Sequence, residues 1–345
     1  MPELPEVQTV VNDLNKKIKG KIVSDVWTDA PKLIKDHLKP GLRLSDHELP
    51  KAKRNFLKFK KDLIGEKVKE AERKGKNILI HFQSGKTLLV HQKMTGHLLF
   101  GKWEIAKQQV ASSKKQLVSK KQAPERAIPI WPKEVVNDPY NGFIHLIITF
   151  IDGKQLALSD MRKFAKAILA KKEDILKLPD IQGLGPDALS SKLTFKKFKT
   201  IISKSGPTIK QALLRPELIA GIGNIYADES LWKAQIHPRQ NPKELSDKEL
   251  KRLYSAIRSI LKKAIKLRGS SISDFRDTAG KEGRYGDVRL VYQREKKNCQ
   301  RCQNPIKRIR LGGRSAHFCL ACQSVKEGRM YSPKSSKKIN RARSL

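Results

Sequence analysis

Cys299-Gln-Arg-Cys302 is followed, sixteen residues on, by Cys319-Leu-Ala-Cys322, and the chain has no other cysteine. Two CxxC turns at this spacing offer four thiolates to one tetrahedral zinc ion. Between them, Ile306-Lys-Arg-Ile-Arg310 and Ala316-His-Phe318 predict two short strands about the turn Leu311-Gly-Gly-Arg314. The expected element is a zinc-held β-hairpin with a basic tip. Two disulfides or a redox pair are the alternatives, but no secretory signal supports disulfides. Four protein ligands close the metal's shell, so the zinc serves structure rather than catalysis. Arg314 at the tip is either a solvated charge or, on so rigid a hairpin, a phosphate ligand.

The charge around that hairpin says what it meets. The 345 residues carry 73 Lys and Arg against 34 Asp and Glu, a formal net charge of +39. An excess of this size implies a polyanionic partner, nucleic acid first, because neutralising phosphates releases counterions. An anionic membrane is the alternative, but no basic helix with an aromatic apolar face stands out. A hydrophobic content of 38% excludes a basic disordered chain, and the length suggests two domains. No apolar run spans a bilayer and no signal-peptide core opens the chain, so a soluble intracellular protein is expected.

Working back from the hairpin, Leu193–Lys204, Pro207–Leu214, Asn224–Ala234 and Asp247–Leu267 have helical periodicity. In Ala220-Gly-Ile-Gly-Asn-Ile-Tyr-Ala-Asp-Glu-Ser-Leu-Trp232, two glycines permit close backbone approach just before a helix. That helix start reads either as a phosphate cradle or as a tight turn capped by Asn224. Leu184-Gly185-Pro186 marks a linker. Before it, Lys21–Trp27, Asn77–Phe82, Thr87–His91, Ile144–Phe150 and Gln155–Leu158 read as strands of a largely antiparallel β domain. Residues 102–140 are rich in Lys, Gln and Ser and carry four prolines, which reads as an inserted, partly disordered loop. The basic tail after Tyr331 is expected to be disordered and to add nonspecific phosphate affinity.

The chain opens Met1-Pro2-Glu3-Leu4-Pro5-Glu6-Val7. With Met1 removed, Pro2 becomes a secondary amine, partly unprotonated near neutral pH because an α-amino group titrates at roughly 7.7–8.0. Such an amine attacks an aldehyde-like carbon to give an iminium, a strong electron sink. Glu3 and Glu6 fall on one face of the first turn beside it. The plainer reading is an ordinary helix start, with early prolines, first-turn acids and an apolar stripe Val7, Val10, Val11, Leu14 and Ile18.

Taken together, MPELPEV, Arg73-Lys-Gly-Lys76, His91-Gln-Lys-Met-Thr-Gly96, Asp160-Met-Arg-Lys-Phe164, the GIGNIYADE segment and the cysteine hairpin resemble the bacterial formamidopyrimidine-DNA glycosylases. The resemblance covers nearly the whole chain apart from residues 102–140 and the tail. It implies an α+β fold: an N-terminal helix with a two-layered antiparallel β-sandwich over 1–183. A helix–two-turns–helix domain over 187–270 would follow, then a lesion-covering loop and zinc finger over 271–328, and a tail over 329–345.

The same resemblance implies an enzyme that excises oxidised purines from duplex DNA and then cleaves the strand at the abasic site. Pro2 would be the Schiff-base nucleophile, Glu3 the proton donor to the sugar ring, and Glu6 a positioning group. Lys76 and Arg314 would complete the catalytic set on the phosphates. Met94, Arg162 and Phe164 would fill the gap left by an extruded base; core packing is the alternative for Met94 and Phe164. Asn224 and His91 would grip the backbone, Lys210 would lie near the lesion pocket, and Thr278–Tyr285 would cover the base. One structural zinc on Cys299, Cys302, Cys319 and Cys322, a monomer, and a cytoplasmic, nucleoid-associated location complete the expectation.

The sequence departs from the family pattern at Met161, Lys163, Ala165, Arg215-Pro216 and Asn141, the last where many members carry a DNA-contacting His. Two other readings stand beside the first. One is an endonuclease VIII type acting on oxidised pyrimidines, and the other is a binder without chemistry.

Overall fold

In the computed structural model, which describes residues 1–35, 50–107, 125–272 and 274–324, helix α1 runs Leu4–Lys17. Pro5 sits in its first turn, where its missing N–H costs nothing, and Lys16 and Lys17 complement the dipole at its end. Val7, Val10, Val11, Leu14 and Ile18 are all buried, so the stripe read from the sequence is the packing face.

Two antiparallel sheets close around that stripe. After β1 (Val23–Trp27) and α2 (Lys51–Leu63), the chain forms β2 (Val68–Lys74), β3 (Asn77–Phe82), β4 (Lys86–His91) and β5 (His97–Lys107). It continues with β6 (Glu125–Trp131), α3 (Lys133–Asn137), β7 (Ile144–Phe150), β8 (Gln155–Ser159) and β9 (Lys166–Lys171). One sheet has the order β1-β7-β8-β5-β6 and the other β2-β3-β4-β9. Ile78, Ile80, Leu88, Val90, Leu98, Phe100, Leu146 and Ile148 meet α1 in a single core. Burying each such side chain contributes roughly 1.5–3 kcal/mol before chain entropy is counted. β3 and β4 are covered on their outer face too, by α4 (Lys172–Lys177) and α5 (Pro179–Gln182), through Leu79, Leu89, Ile168, Ile175 and Ile181. Burial on both faces explains why these strands read as continuous apolar runs rather than alternating ones.

The second half is helical: α6 (Phe195–Ser203), α7 (Ile209–Leu213), α8 (Asn224–Ala234) and α9 (Asp247–Lys266). Thr194, Thr208 and Ser246 cap α6, α7 and α9 with their side-chain oxygens. Leu4 packs into this second core while the rest of α1 packs into the first, which sets the chain's N-terminus at the junction of the two halves. Buried Glu229 of α8 accepts the N–H groups of Leu290, Val291 and Tyr292 and the Tyr285 hydroxyl. It thereby fixes the path to the terminal hairpin, β10 (Ile306–Leu311) and β11 (Arg314–Cys319).

Two sequence expectations change. The segment read as an inserted loop over 102–140 is built structure in its described parts, namely the end of β5, edge strand β6 and α3. Its lysines and prolines mask a period of two, in which Trp103 and Ala127 are buried. Pro129 is tolerated because an edge strand has a free side. Residues 108–124 and the tail lie outside the described residues, so the disorder expected there does too. Helix α2 falls inside the domain read as largely antiparallel β, and its signal is Phe56, Phe59 and Leu63 at helical spacing amid lysines. Among the described residues, no helix is long and apolar enough to cross a membrane.

Candidate active site

The start of α1 meets the start of α8 through Glu3. Its side chain is 3% exposed, and its carboxylate accepts the backbone N–H groups of Ile225 at 2.9 Å and Tyr226 at 3.4 Å. The helix end read as a possible phosphate cradle is therefore occupied in part by a carboxylate of the protein itself. The close approach depends on Gly223, where a Cβ would lie 2.3 Å from Glu3 Cδ. Asn224, at the first position of α8, keeps a buried Oδ1 with no hydrogen-bond partner.

Glu6 ties three segments together. Its oxygens accept the Glu3 N–H at 2.8 Å, the Tyr226 hydroxyl at 2.5 Å and the Ser270 N–H at 2.8 Å. Burial pushes its carboxyl pKa up, and the Glu3 charge adds to this, while the three donors pull the other way. Pro2, next to Glu3 in sequence, is buried beside a small cavity lined by Met1, Glu6, Met94, Ser270 and Phe275. Met1 is present, so the Pro2 nitrogen is an amide.

On the other side of Met1 lies a cleft of about 350 Å³ that brings Lys76, His91, Lys93 and Arg314 together. Lys76 is at the turn between β2 and β3, held from behind by Arg73. That guanidinium donates to the Gly75 carbonyl at 2.9 Å, to Gln8 and to both carboxylate oxygens of Asp187. Burial drives the Lys76 ammonium pKa down; Glu3 opposes this, Arg314 adds to it, and Glu6 opposes it. Arg314 opens β11 directly after the two-glycine turn of the hairpin, which packs on Gln211 of α7.

His91 accepts the Lys93 N–H at 2.9 Å on Nδ1. Burial, reinforced by Lys93 and Lys166, lowers its pKa from an ordinary 6.5 to about 4. As pH falls through 6.5 the unfolded chain therefore takes up this proton first, so its contribution to stability is complete above about 6.5 and is lost toward about 4. Wild-type protein is expected to lose more denaturant resistance between pH 7 and pH 5 than His91→Gln. Equal losses in urea titrations would acquit this histidine.

Met94 and Phe164 are 43% and 54% exposed, which removes core packing as their explanation. The Arg162 guanidinium lies over the Phe164 ring, 4.6 Å from its centroid. Their two loops are clasped by buried Asp160, which hydrogen-bonds Thr95 and accepts the Ala165 N–H at 2.7 Å. Lys210 stands apart from this group. It is 0% exposed, with its ammonium on Asp228 at 2.6 Å and on the Ser315 carbonyl at 2.5 Å. Asp228 also accepts the His317 N–H, so Lys210 buttresses the hairpin that carries Arg314. Asn141 is likewise buried, between His97 and the Glu134 carbonyl.

The four cysteine sulfurs lie within 4.8 Å of one another, and none is in a disulfide. This matches the spread of a tetrahedral four-thiolate zinc site with bonds of about 2.3 Å. Trp232 Nε1 donates to Cys299 Sγ at 3.3 Å, the kind of outer hydrogen bond that stabilises a ligating thiolate.

Three family models match the chain: the formamidopyrimidine-DNA glycosylase N-terminal domain over residues 1–167, that family's H2TH domain over 184–276, and the zinc finger found in FPG and IleRS over 296–325. The formamidopyrimidine-DNA glycosylase of Pelotomaculum thermopropionicum is 33% identical over 94% of this chain and 100% of its own length. The chain belongs to the formamidopyrimidine-DNA glycosylase family. That of Bacillus subtilis is 31% identical with the same coverage. The Lactococcus lactis enzyme, solved with abasic-site DNA and with Fapy-dG DNA, superposes with TM-scores of 0.72 and 0.71. Its identity is 27–28%, over 94% of this chain and all of that one. The zinc finger of this glycosylase family takes one structural zinc, held here by Cys299, Cys302, Cys319 and Cys322.

Proposed function

We propose that the chain is a bifunctional DNA repair enzyme that excises 8-oxoguanine and formamidopyrimidines from duplex DNA and then cleaves the strand. The observation that carries this reading is the convergence of Pro2, Glu3, Glu6, Lys76 and Arg314, from both halves of the molecule, around Met1. Once Met1 is cleaved off, the Pro2 nitrogen recovers its lone pair and attacks C1′ of the damaged nucleotide. The C1′–base bond breaks and the base leaves with its electron pair. Glu3, anchored by two N–H groups, stands where it can take up the proton that the attacking nitrogen loses and pass it to the ring oxygen as the C1′–O4′ bond breaks. The nitrogen–C1′ link becomes an iminium that draws electrons from C2′. A C2′ proton is lost and the 3′ phosphate leaves, and a second elimination releases the 5′ phosphate.

Lys76 and Arg314 line the cleft facing those phosphates, Arg314 as a cation and Lys76 with a pKa that burial lowers. His91 lines the same cleft and Asn224 opens α8 next to the residues that hold Glu3, and both serve as backbone contacts. Met94, Arg162 and Phe164 form an exposed wedge suited to the void left by an extruded base. Lys210 acts through the hairpin it supports. One chain carries every part, so a monomer suffices, and its DNA affinity fits a cytoplasmic enzyme on the nucleoid.

Borohydride trapping on duplexes with 8-oxoguanine, a formamidopyrimidine, an oxidised pyrimidine or an abasic site tests the assignment. Adducts are expected on the purine lesions and the abasic site, and the same reactions without borohydride should leave a phosphate on both sides of a gap. Preference for the pyrimidine lesion would make it an endonuclease VIII type. No adduct from Met1-free protein on any duplex would leave only a DNA binder.

A further inference from the structure

The segment after α9 forms one wall of the Pro2 cavity: Ser270, Ile272 and Phe275 line it. It then turns back as a deeply buried run, Arg276, Asp277 and Thr278, with Thr278 0% exposed. Two of its anchors belong to parts already described. Thr278 bonds Asp13 and Lys17 of α1, and its carbonyl accepts the Phe100 N–H of β5 at 2.8 Å.

The third anchor is α3 and the turn after it, the end of the segment that the sequence presented as a loop without a role. The Arg276 guanidinium pairs with Asp138 and lies over the Tyr140 ring, 4.9 Å from its centroid. Lys281 pairs with Glu134 at 3.1 Å. Gly280 has a φ of +80°, and a Cβ there would lie 2.9 Å from Asn141 Nδ2 and 3.0 Å from Val135 Cγ2. Asn141 is locked between the His97 ring at 3.1 Å and the Glu134 carbonyl at 3.2 Å. A charged pair, a stacked ring, an exposed pair and a close backbone contact thus seat residues 276–281 in a socket made by residues 134–141.

We propose that this socket is a brace for the base-facing wall of the active site, with Asp138, Glu134 and Asn141 as positioning residues for base excision. The inference rests on the reading of the Pro2 cavity as the lesion site. Its consequence is a split between two steps that share one nucleophile. Excision needs an everted base held against the wall while C1′ is attacked. Cleavage at a site that has already lost its base needs only the sugar at Pro2, so a loosened wall slows the first step and spares the second. Misplacement by about 1 Å can cost on the order of a hundredfold in rate.

Asp138→Asn is the direct test, with Glu134→Gln as a milder variant should the first fold poorly and Asp138→Glu as the conservative rescue. Single-turnover excision of a formamidopyrimidine base is expected to fall at least about tenfold in Asp138→Asn, with borohydride trapping on a preformed abasic site within about twofold of wild type. Asp138→Glu should recover most of the loss. In the DNA-free proteins, amide hydrogen exchange over residues 276–284 should be faster in Asp138→Asn than in wild type. Equal loss of both steps, accompanied by a lower melting temperature, would make the contact merely stabilising and overturn the proposal; so would unchanged excision and exchange. Wild-type protein inert on both substrates would instead strike the functional reading, while exchange would still report on the brace.

Discussion

Protein that retains Met1 is expected to give no borohydride adduct on any substrate, and the same protein freed of Met1 to give one. The reason is local and complete: joined to Met1, the Pro2 nitrogen is a planar amide whose lone pair is delocalised into the carbonyl. Met1 also occupies the space in question, because it lines both the Pro2 cavity and the Lys76 cleft. The surroundings act on an amine there in a consistent way. Burial lowers the pKa of the Met1 ammonium, the carboxylates of Glu3, Glu6 and Asp274 oppose that, and Lys76 adds to it. The free base is the nucleophilic form that Pro2 needs once Met1 is gone.

Producing the protein under methionine aminopeptidase inhibition gives the blocked form with an unchanged sequence, and intact mass reads the fraction processed. Trapping should follow that fraction, falling at least on the order of 10³-fold for the blocked form, as for loss of other covalent nucleophiles. Pro2→Gly still permits Met1 removal but leaves a primary amine, and should trap more weakly than wild type. Undiminished adduct from Met1-retaining protein would move the nucleophile to a lysine.

Stripping the zinc should have the other large effect, and on binding rather than on chemistry. The hairpin has a small apolar core among the described residues: Trp232, Leu290, Val291, Ile306, Ala316, Phe318 and the cysteines themselves. A module with so small a core depends on its metal, whose apparent binding energy in isolated zinc fingers is on the order of 10–16 kcal/mol. The hairpin in turn delivers Arg314 to the cleft and the Ser315 carbonyl to Lys210. Removing the metal should therefore release the Arg314 side chain and deprive the buried Lys210–Asp228 pair of the groups around it. Chelation of one zinc per chain, followed by mass spectrometry, should lower duplex affinity at fixed salt by at least on the order of tenfold. Fluorescence anisotropy reads the affinity, and an unchanged value after loss of the metal would make the hairpin dispensable for DNA.

Most of the secondary structure lay open in the sequence because its signals are local. Asn224–Ala234 reads as a helix and is one. Ile144–Phe150 and Asn77–Phe82 are strands over the residues expected. Helix α2 and strand β2 escaped because lysines and glutamates on their solvent faces outnumber the apolar residues on their inner faces. Lys210, which the resemblance put near the lesion pocket, is sealed beneath the hairpin by an aspartate eighteen residues away, a contact that no local pattern records.

Sequence alone determined what rests on residue type and short spacing: the four-thiolate metal site, the amine that Pro2 can become, the helix that begins beside it, and the excess of positive charge. Those properties need no knowledge of distant partners. Tertiary structure decided the rest. Glu3 meets Ile225 across 222 positions, Glu6 meets Ser270 across 264, and Arg276 meets Asp138 across 138. Each contact exists only because distant parts of the chain close on one another around α1 and its two cores, and no periodicity along the chain records which surfaces meet when they do. The segment over 125–140 marks that boundary most clearly. It lies within the stretch read as a loop, and its place against the wall of the Pro2 cavity gives it something to hold.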